Sequence, residues 1–377
     1  MLYLCLRRFD LRWAMSLLLW IFGCQFFSGS THVEMADGRD LPPVVALVTI
    51  DTWRADHIGP DHTPNIWRFA KDGELYTQAY SPMGLTTPAH ATMLTGLHPW
   101  EHGAEANNHH GYTLNSEVSV VPEQYDGYAT GAFVSAYPAG PSGGLHRGWD
   151  VFDGPESGER PGSIAVERAL AWLPTDRPAL LWVHLYEPHG PYIGEGATER
   201  ERYGEEVKRA DEALGPLLKV LESRGARIVV TSDHGEVLDE ERCSYQHERS
   251  ISDHVLRVPL VRWSPEIVAR RIDGMVGLSD VPALLRGEEI APREHWLAQS
   301  GMCEQDCAPG CAPEGLEGRD AVAIDPGGRW IQRPGKGLFK QRHPADILAE
   351  QAKQVPPLRA PETAANQKAK SLGYLDL

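Results

Sequence analysis

The chain has 377 residues and a formal net charge of -16 at pH 7, which is length enough for one large domain, or a large and a small one, with a sizeable core. That acidic balance excludes a nucleic-acid partner gathered by long-range attraction, because no basic field exists to draw in phosphate backbones. An anionic substrate must then be met by local positive charge, which a bound metal would supply.

Arg7, Arg8 and Arg12 precede an uncharged apolar run over 13–27, long enough for the core of a signal peptide and short for a membrane span. Residues 1–30 are therefore expected to be an export leader and the mature protein extracytoplasmic, in the periplasm or at the cell surface. Ile21-Phe22-Gly23-Cys24 is similar to a lipobox. Cys24 would then carry a lipid anchor, the only membrane contact expected; the other reading is a plain signal peptide.

The β-branched run 44–50 ends in Asp51 and has the pattern of a strand buried on both faces. Thr63-Pro64 opens a helix with an apolar face of Ile66, Phe69 and Ala70, closed by Gly73. Strands are expected at 132–137, 180–185, 227–232 and 256–263, and a helix over 205–223 with a kink at Pro216. Strands alternating with helices predict an α/β fold, a mainly parallel sheet flanked by helices, with ligands at the carboxyl ends of the strands. After Pro265, Pro, Gly and charge increase, and 327–332 and 337–339 suggest short antiparallel strands. The expected organisation is a catalytic domain over 40–265, then a small C-terminal α+β appendage and tail over 266–377. Beyond Cys5 and Cys24, the cysteines are Cys243, Cys303, Cys307 and Cys311. In an exported chain they fit disulfides better than a metal knot, with connectivity open.

Asp51 and Asp233-His234 each follow a predicted strand. Two carboxylates, an imidazole and a hydroxyl make a site for one divalent ion, calcium, zinc or manganese. Thr86 precedes Pro88, which suits the first turn of a helix. Its hydroxyl would sit at the positive end of the helix dipole among backbone N–H groups, as a nucleophile or as a simple N-cap.

The run Thr86-Thr87-Pro88-Ala89-His90, continuing to Leu94-Thr95-Gly96, resembles the signature of the sulfatase branch of the alkaline phosphatase superfamily, Cys/Ser-x-Pro-x-Arg and a helix ending in Leu-Thr-Gly. Thr86 stands where sulfatases carry the residue oxidised to formylglycine, and His90 where they carry Arg. Threonine has no known route to formylglycine, so the Thr-nucleophile members, which mostly act on phosphate diesters and phosphonates, are the closer comparison. The resemblance implies Asp51, Thr86, Asp233 and His234 as metal ligands, and Thr86 as covalent nucleophile. It further implies Asn107, unless Asn108 takes its place, as donor to the developing charge. His189, in Pro188-His189-Gly190-Pro191, and His247 would face the substrate. The Gly-Lys-Trp-His type segment of sulfatases is missing, because Phe133 to Tyr137 follow Gly127-Tyr128-Ala129-Thr130.

The expected activity is metal-dependent hydrolysis of sulfate or phosphate and phosphonate esters, on a small-molecule, glycan or lipid substrate. Its rivals are a phosphotransferase acting on envelope polymers or lipids, and a noncatalytic member of the fold. A two-metal variant would use Glu187, His189 and His247 for the second ion.

Overall fold

The computed structural model describes residues 33–34, 40–107, 111–239, 247–301, 320–325, 328–333 and 337–340. The leader with Cys24, the four later cysteines, Asn108 and the tail lie outside the described residues. Among the described residues no helix is long and apolar enough to cross a membrane.

The chain builds an eight-stranded sheet from β1 (Val44–Ile50), β2 (Glu74–Tyr80), β3 (Ala129–Val134), β4 (Val151–Asp153), β5 (Ala179–Leu185), β6 (Arg227–Ser232), β7 (Arg257–Trp263) and β8 (Arg270–Gly277), in the order β8-β2-β7-β6-β1-β5-β3-β4. All pairings are parallel except the two made by β7. Every residue of β1 is buried. Val45 and Leu47 enter one apolar layer, and Val44, Ala46, Val48 and Ile50 the other. Each buried Val, Leu or Ile side chain contributes roughly 1.5–3 kcal/mol, which is why a run dominated by them lies at the sheet centre.

Helices α1 (Pro64–Asp72), α3 (Gly162–Trp172) and α4 (Glu199–Ser223) cover one face, while α2 (Thr86–Thr95) and α5 (Val281–Arg286) cover the other. α4 starts earlier than its apolar periodicity predicts. Thr198 caps it by accepting from the Glu201 amide, while Glu201 Oε2 accepts from the Thr198 amide at 3.0 Å, a capping box visible as Thr-x-x-Glu. The helix runs through Pro216.

β3 is displaced toward the N-terminus from the predicted 132–137, because Pro138 lies in a 3-10 turn, Tyr137–Ala139, that leaves the sheet. β2 escapes the sequence pattern because Glu74 looks like a surface residue. It is instead 1% exposed, held by Arg262 Nε at 2.5 Å, Arg270 Nε at 2.7 Å and the Tyr76 hydroxyl at 2.9 Å. Burial alone would raise its pKa, but these donors hold the carboxyl below its ordinary value. β8 pairs with β2, so residues beyond 265 still supply an edge strand of the main sheet. A four-stranded antiparallel sheet, β9 (Trp296–Gln299), β10 (Ala321–Asp325), β11 (Gly328–Arg333) and β12 (Gly337–Lys340), forms the small appendage.

The register aligns Ile50 with both Leu185 and Ser232. Asp51, Tyr186 and Asp233 therefore emerge side by side at one end of the sheet. Because β7 is antiparallel to β6, the connection carrying His247 begins and ends at that same end.

Candidate active site

Asp51, Asp233 and His234 are fully buried, and one ligand atom from each lies within 4.8 Å of the others. His234 Nε2 is 3.9 Å from Asp51 Oδ1 and 3.5 Å from Asp233 Oδ2. Among the described residues these same three atoms have no hydrogen-bond partner. His234 Nδ1 lies 2.9 Å from the Gly235 carbonyl, which can only accept, so Nδ1 carries the proton and Nε2 presents a lone pair. Three orphaned buried ligand atoms facing one point fit a divalent cation.

Ser232 ties the two ligand loops together. Its hydroxyl accepts from the Trp53 amide at 2.9 Å and lies 2.7 Å from the Ile50 carbonyl. Burial, then the like charge of Asp233, pushes Asp51 up to about 7. Burial would raise Asp233 as well, but the His234, His90 and His184 rings outweigh it and hold that carboxyl low. A bare pair of buried carboxylates cannot both ionise freely, and a cation removes the conflict.

Thr86 is the first residue of α2 and 3% exposed. Its hydroxyl points at Asp51 Oδ2 across 3.4 Å. The helix cap is Leu85, so Thr86 does not act as the cap. At Gly84, two residues before Thr86, a Cβ would meet the His247 carbonyl oxygen at 2.4 Å, so the backbone at His247 packs directly on the chain leading into α2. The Thr87 amide, in the first turn of α2, donates to Asn107 Oδ1 at 2.8 Å. That bond fixes the orientation of the Asn107 amide, whose NH₂ becomes the group left to donate.

His90 is closed off by a chain of bonds. Its Nδ1 lies 2.8 Å from the Thr86 carbonyl and its Nε2 3.0 Å from Thr49 Oγ1, which also accepts from Trp182 Nε1 at 3.0 Å. Nδ1–H must donate to the carbonyl, so Nε2 accepts from the threonine hydroxyl. Burial pushes its pKa down to about 4, and a neutral ring stands at the position of the sulfatase arginine. A second triad, His90, His184 and Asp233, also lies within metal-binding distance, but both His90 nitrogens are already engaged.

His184 was not anticipated. It hides in the apolar run of β5, is 0% exposed, and places Nε2 3.4 Å from Asp51 Oδ2. Burial pushes it down to about 4.

His189, His247 and His234 form a row of rings. His247 stacks on His234 with centroids 4.6 Å apart and meets His189 edge-on at 5.2 Å. His189 stacks on Tyr186 at 4.5 Å, and its Nδ1 lies 2.8 Å from both the Tyr186 hydroxyl and the Gly190 carbonyl. His247 Nδ1 lies 3.0 Å from Glu236 Oε1. Burial opposes the charge on His247, yet Glu236 outweighs burial and raises the ring to about 9. Glu236 was missed as well, although it stands in the run Asp233-His234-Gly235-Glu236. Glu187 accepts from the Gly162 amide through both oxygens, at 3.0 and 3.2 Å, at the start of α3. Its carboxylate is thus committed to a helix N-terminus, away from the second-ion role considered for it.

The chain resembles known proteins in both sequence and fold. It is 28% identical over 242 residues to ectonucleotide pyrophosphatase/phosphodiesterase family member 3 of Mus musculus, covering 57% of this chain and 27% of that protein. It is 24% identical over 271 residues to N-acetylgalactosamine-6-sulfatase of Canis lupus familiaris, covering 54% and 52%. The chain thus spans about half, or less, of the length of these relatives. In structure it matches the phosphonate monoester hydrolase SpPMH of Silicibacter pomeroyi with a TM-score of 0.64 at 16% identity, covering 88% of this chain and 94% of that one. The fold is accordingly that of the alkaline phosphatase and sulfatase ester hydrolases. A model of the Sulfatase family matches residues 43–285, and the chain belongs to that family.

Proposed function

We propose that the protein hydrolyses phosphate diesters or phosphonate monoesters through a covalent intermediate on Thr86, with one divalent cation, zinc, manganese or calcium, held by Asp51, Thr86, Asp233 and His234. The observation that carries this reading is the convergence of three orphaned ligand atoms beside a threonine hydroxyl at the start of a buried helix. A bound cation of this kind lowers the pKa of the hydroxyl it touches and offsets charge on the substrate oxygens.

Thr86 Oγ1 attacks phosphorus, its proton passing to solvent water as the bond to the leaving oxygen breaks. The departing alkoxide takes a proton from His189, leaving an alcohol and a phosphothreonine. Water then attacks phosphorus and returns a proton to His189, Thr86 Oγ1 regains a proton from solvent as its bond to phosphorus breaks, and the phosphate monoester or phosphonate leaves. Asn107 donates its NH₂ to the nonbridging oxygens, and charged His247 adds a fixed positive group. The neutral His90 and the uncharged segment 133–137 favour phosphorus esters over sulfate, since the cationic sulfate contacts of sulfatases have no counterpart there. Export through the leader, with or without an anchor at Cys24, belongs to the same proposal and rests on the sequence.

The test is a direct comparison of kcat/KM for bis(p-nitrophenyl) phosphate, p-nitrophenyl phenylphosphonate and p-nitrophenyl sulfate, with elemental analysis of the purified protein. Phosphorus esters are expected to match or exceed the sulfate ester, with about one ion per chain. A pure sulfatase would overturn the substrate reading, and a metal-free active protein the cation reading.

Glu236 gives a separate expectation. Removing its charge in Glu236→Gln lowers the pKa of His247 from about 9 toward the ordinary histidine range. His247 is charged below its pKa, so the alkaline limb of the kcat/KM profile should move to lower pH in the variant. An unmoved limb would show that His247 does not act as the fixed cation.

A further inference from the structure

Thr52, immediately after Asp51, is the single non-glycine with positive φ among the described residues, at 53°. A β-branched residue there is a genuine outlier and persists only where its surroundings over-determine it. Here the surroundings are explicit. Tyr203, fully buried on α4, donates its hydroxyl to the Thr52 carbonyl at 2.8 Å and accepts from the Arg54 amide at 2.8 Å. One phenol thus spans the turn from Thr52 to Arg54, using its donor and acceptor capacity together.

The turn has a direct bearing on Asp233. In its left-handed conformation Thr52 donates its amide to Asp233 Oδ1 at 3.2 Å, beside the His234 amide at 2.8 Å. With Oδ1 occupied by backbone donors, Oδ2 is the orphaned oxygen that faces His234 Nε2 at 3.5 Å. A relaxed Thr52 would withdraw its amide and let the carboxylate rotate.

We propose that Tyr203 is a positioning residue for the cation site, clamping Thr52 in a left-handed turn so that Asp233 offers Oδ2 to the ion. The proposal rests on the cation reading above. It assigns a role to a side chain that touches neither substrate nor ion, and it treats the Thr52 conformation as part of the site. Glycine adopts this φ without penalty, so Thr52→Gly should remove the need for the clamp.

The test is a double-mutant cycle of Tyr203→Phe and Thr52→Gly, titrating zinc and manganese into the chelated proteins calorimetrically at a temperature where circular dichroism shows each to be folded. Tyr203→Phe is expected to weaken binding about 10-fold or more, and by no more than about 3-fold in the Thr52→Gly background. If Tyr203→Phe alone does not fold, Thr52→Gly should restore both folding and binding. Unchanged affinity in Tyr203→Phe overturns the clamp. An equal loss in both backgrounds, or failure of the rescue, also overturns it, because Tyr203 would then act through stability alone. Absence of binding in the unaltered protein overturns the cation reading, and the clamp falls with it.

Discussion

Thr86→Ala is expected to lower kcat/KM by on the order of 10⁴-fold, because in the proposed mechanism a covalent nucleophile and a cation ligand vanish in one change. Thr86→Ser keeps the oxygen and should stay within about 100-fold of the original rate, the deficit reflecting a freer rotamer. Neither change should unfold the chain. Thr86 is not the helix cap, and among the described residues its hydroxyl makes only the 3.4 Å contact with Asp51, which is long for O–H···O. Rapid quenching of turnover on a phosphate diester, followed by peptide mass spectrometry, should find phosphorus on Thr86. An alanine variant that turns over at the original rate would remove Thr86 from the mechanism.

Asp233→Asn is expected to abolish turnover and weaken cation binding by about 100-fold, since Asp233 Oδ2 is one of the three unpartnered ligand atoms of the proposed cation site. Its effect on stability should depend on the ion. With saturating cation the unaltered protein gains RT ln(1 + [L]/Kd) of stability, and the variant gains far less. After chelation the order should level or reverse, because the variant no longer buries two carboxylates side by side. Asp51 adds a pH signature. Its folded pKa of about 7 lies above the ordinary 3.8, so the folded state holds the proton more tightly. Stability of the chelated protein is therefore greatest below about pH 4 for this group and declines as pH rises through 7. Thermal melts with and without chelator, at several pH values, check both signs. A variant with full cation affinity would exclude Asp233 as a ligand.

Much of the candidate site was legible because its signals are local. An apolar run followed by Asp51, a second followed by Asp233-His234, and Thr86 ahead of Pro88 each declare themselves within a few residues. What stayed hidden depends on partners distant in the chain. Glu74 reads as a surface residue until Arg262 and Arg270 are brought against it, and with it β2 and β8 disappear from the pattern. His184 reads as part of a buried strand, and only the register of β5 against β1 places it beside Asp51. Glu187 shows the converse case. Its neighbours in sequence suggest a ligand, while Gly162, brought near by the fold, claims its carboxylate.

The parallel pairing of β1 with β6 also has a consequence for assembly. Parallel neighbours cannot meet through a tight hairpin, and here the intervening chain includes β2 through β5 and the long helix α4. Loop closure over that span is slow and entropically costly. Asp51 and Asp233 consequently become neighbours only when the centre of the sheet is complete. On the proposed cation reading, nascent chains would pass most of their folding without a pocket for the ion, and metal capture would mark the end of maturation. An ion acquired so late would resist the opening of the finished sheet more than it would hasten its formation.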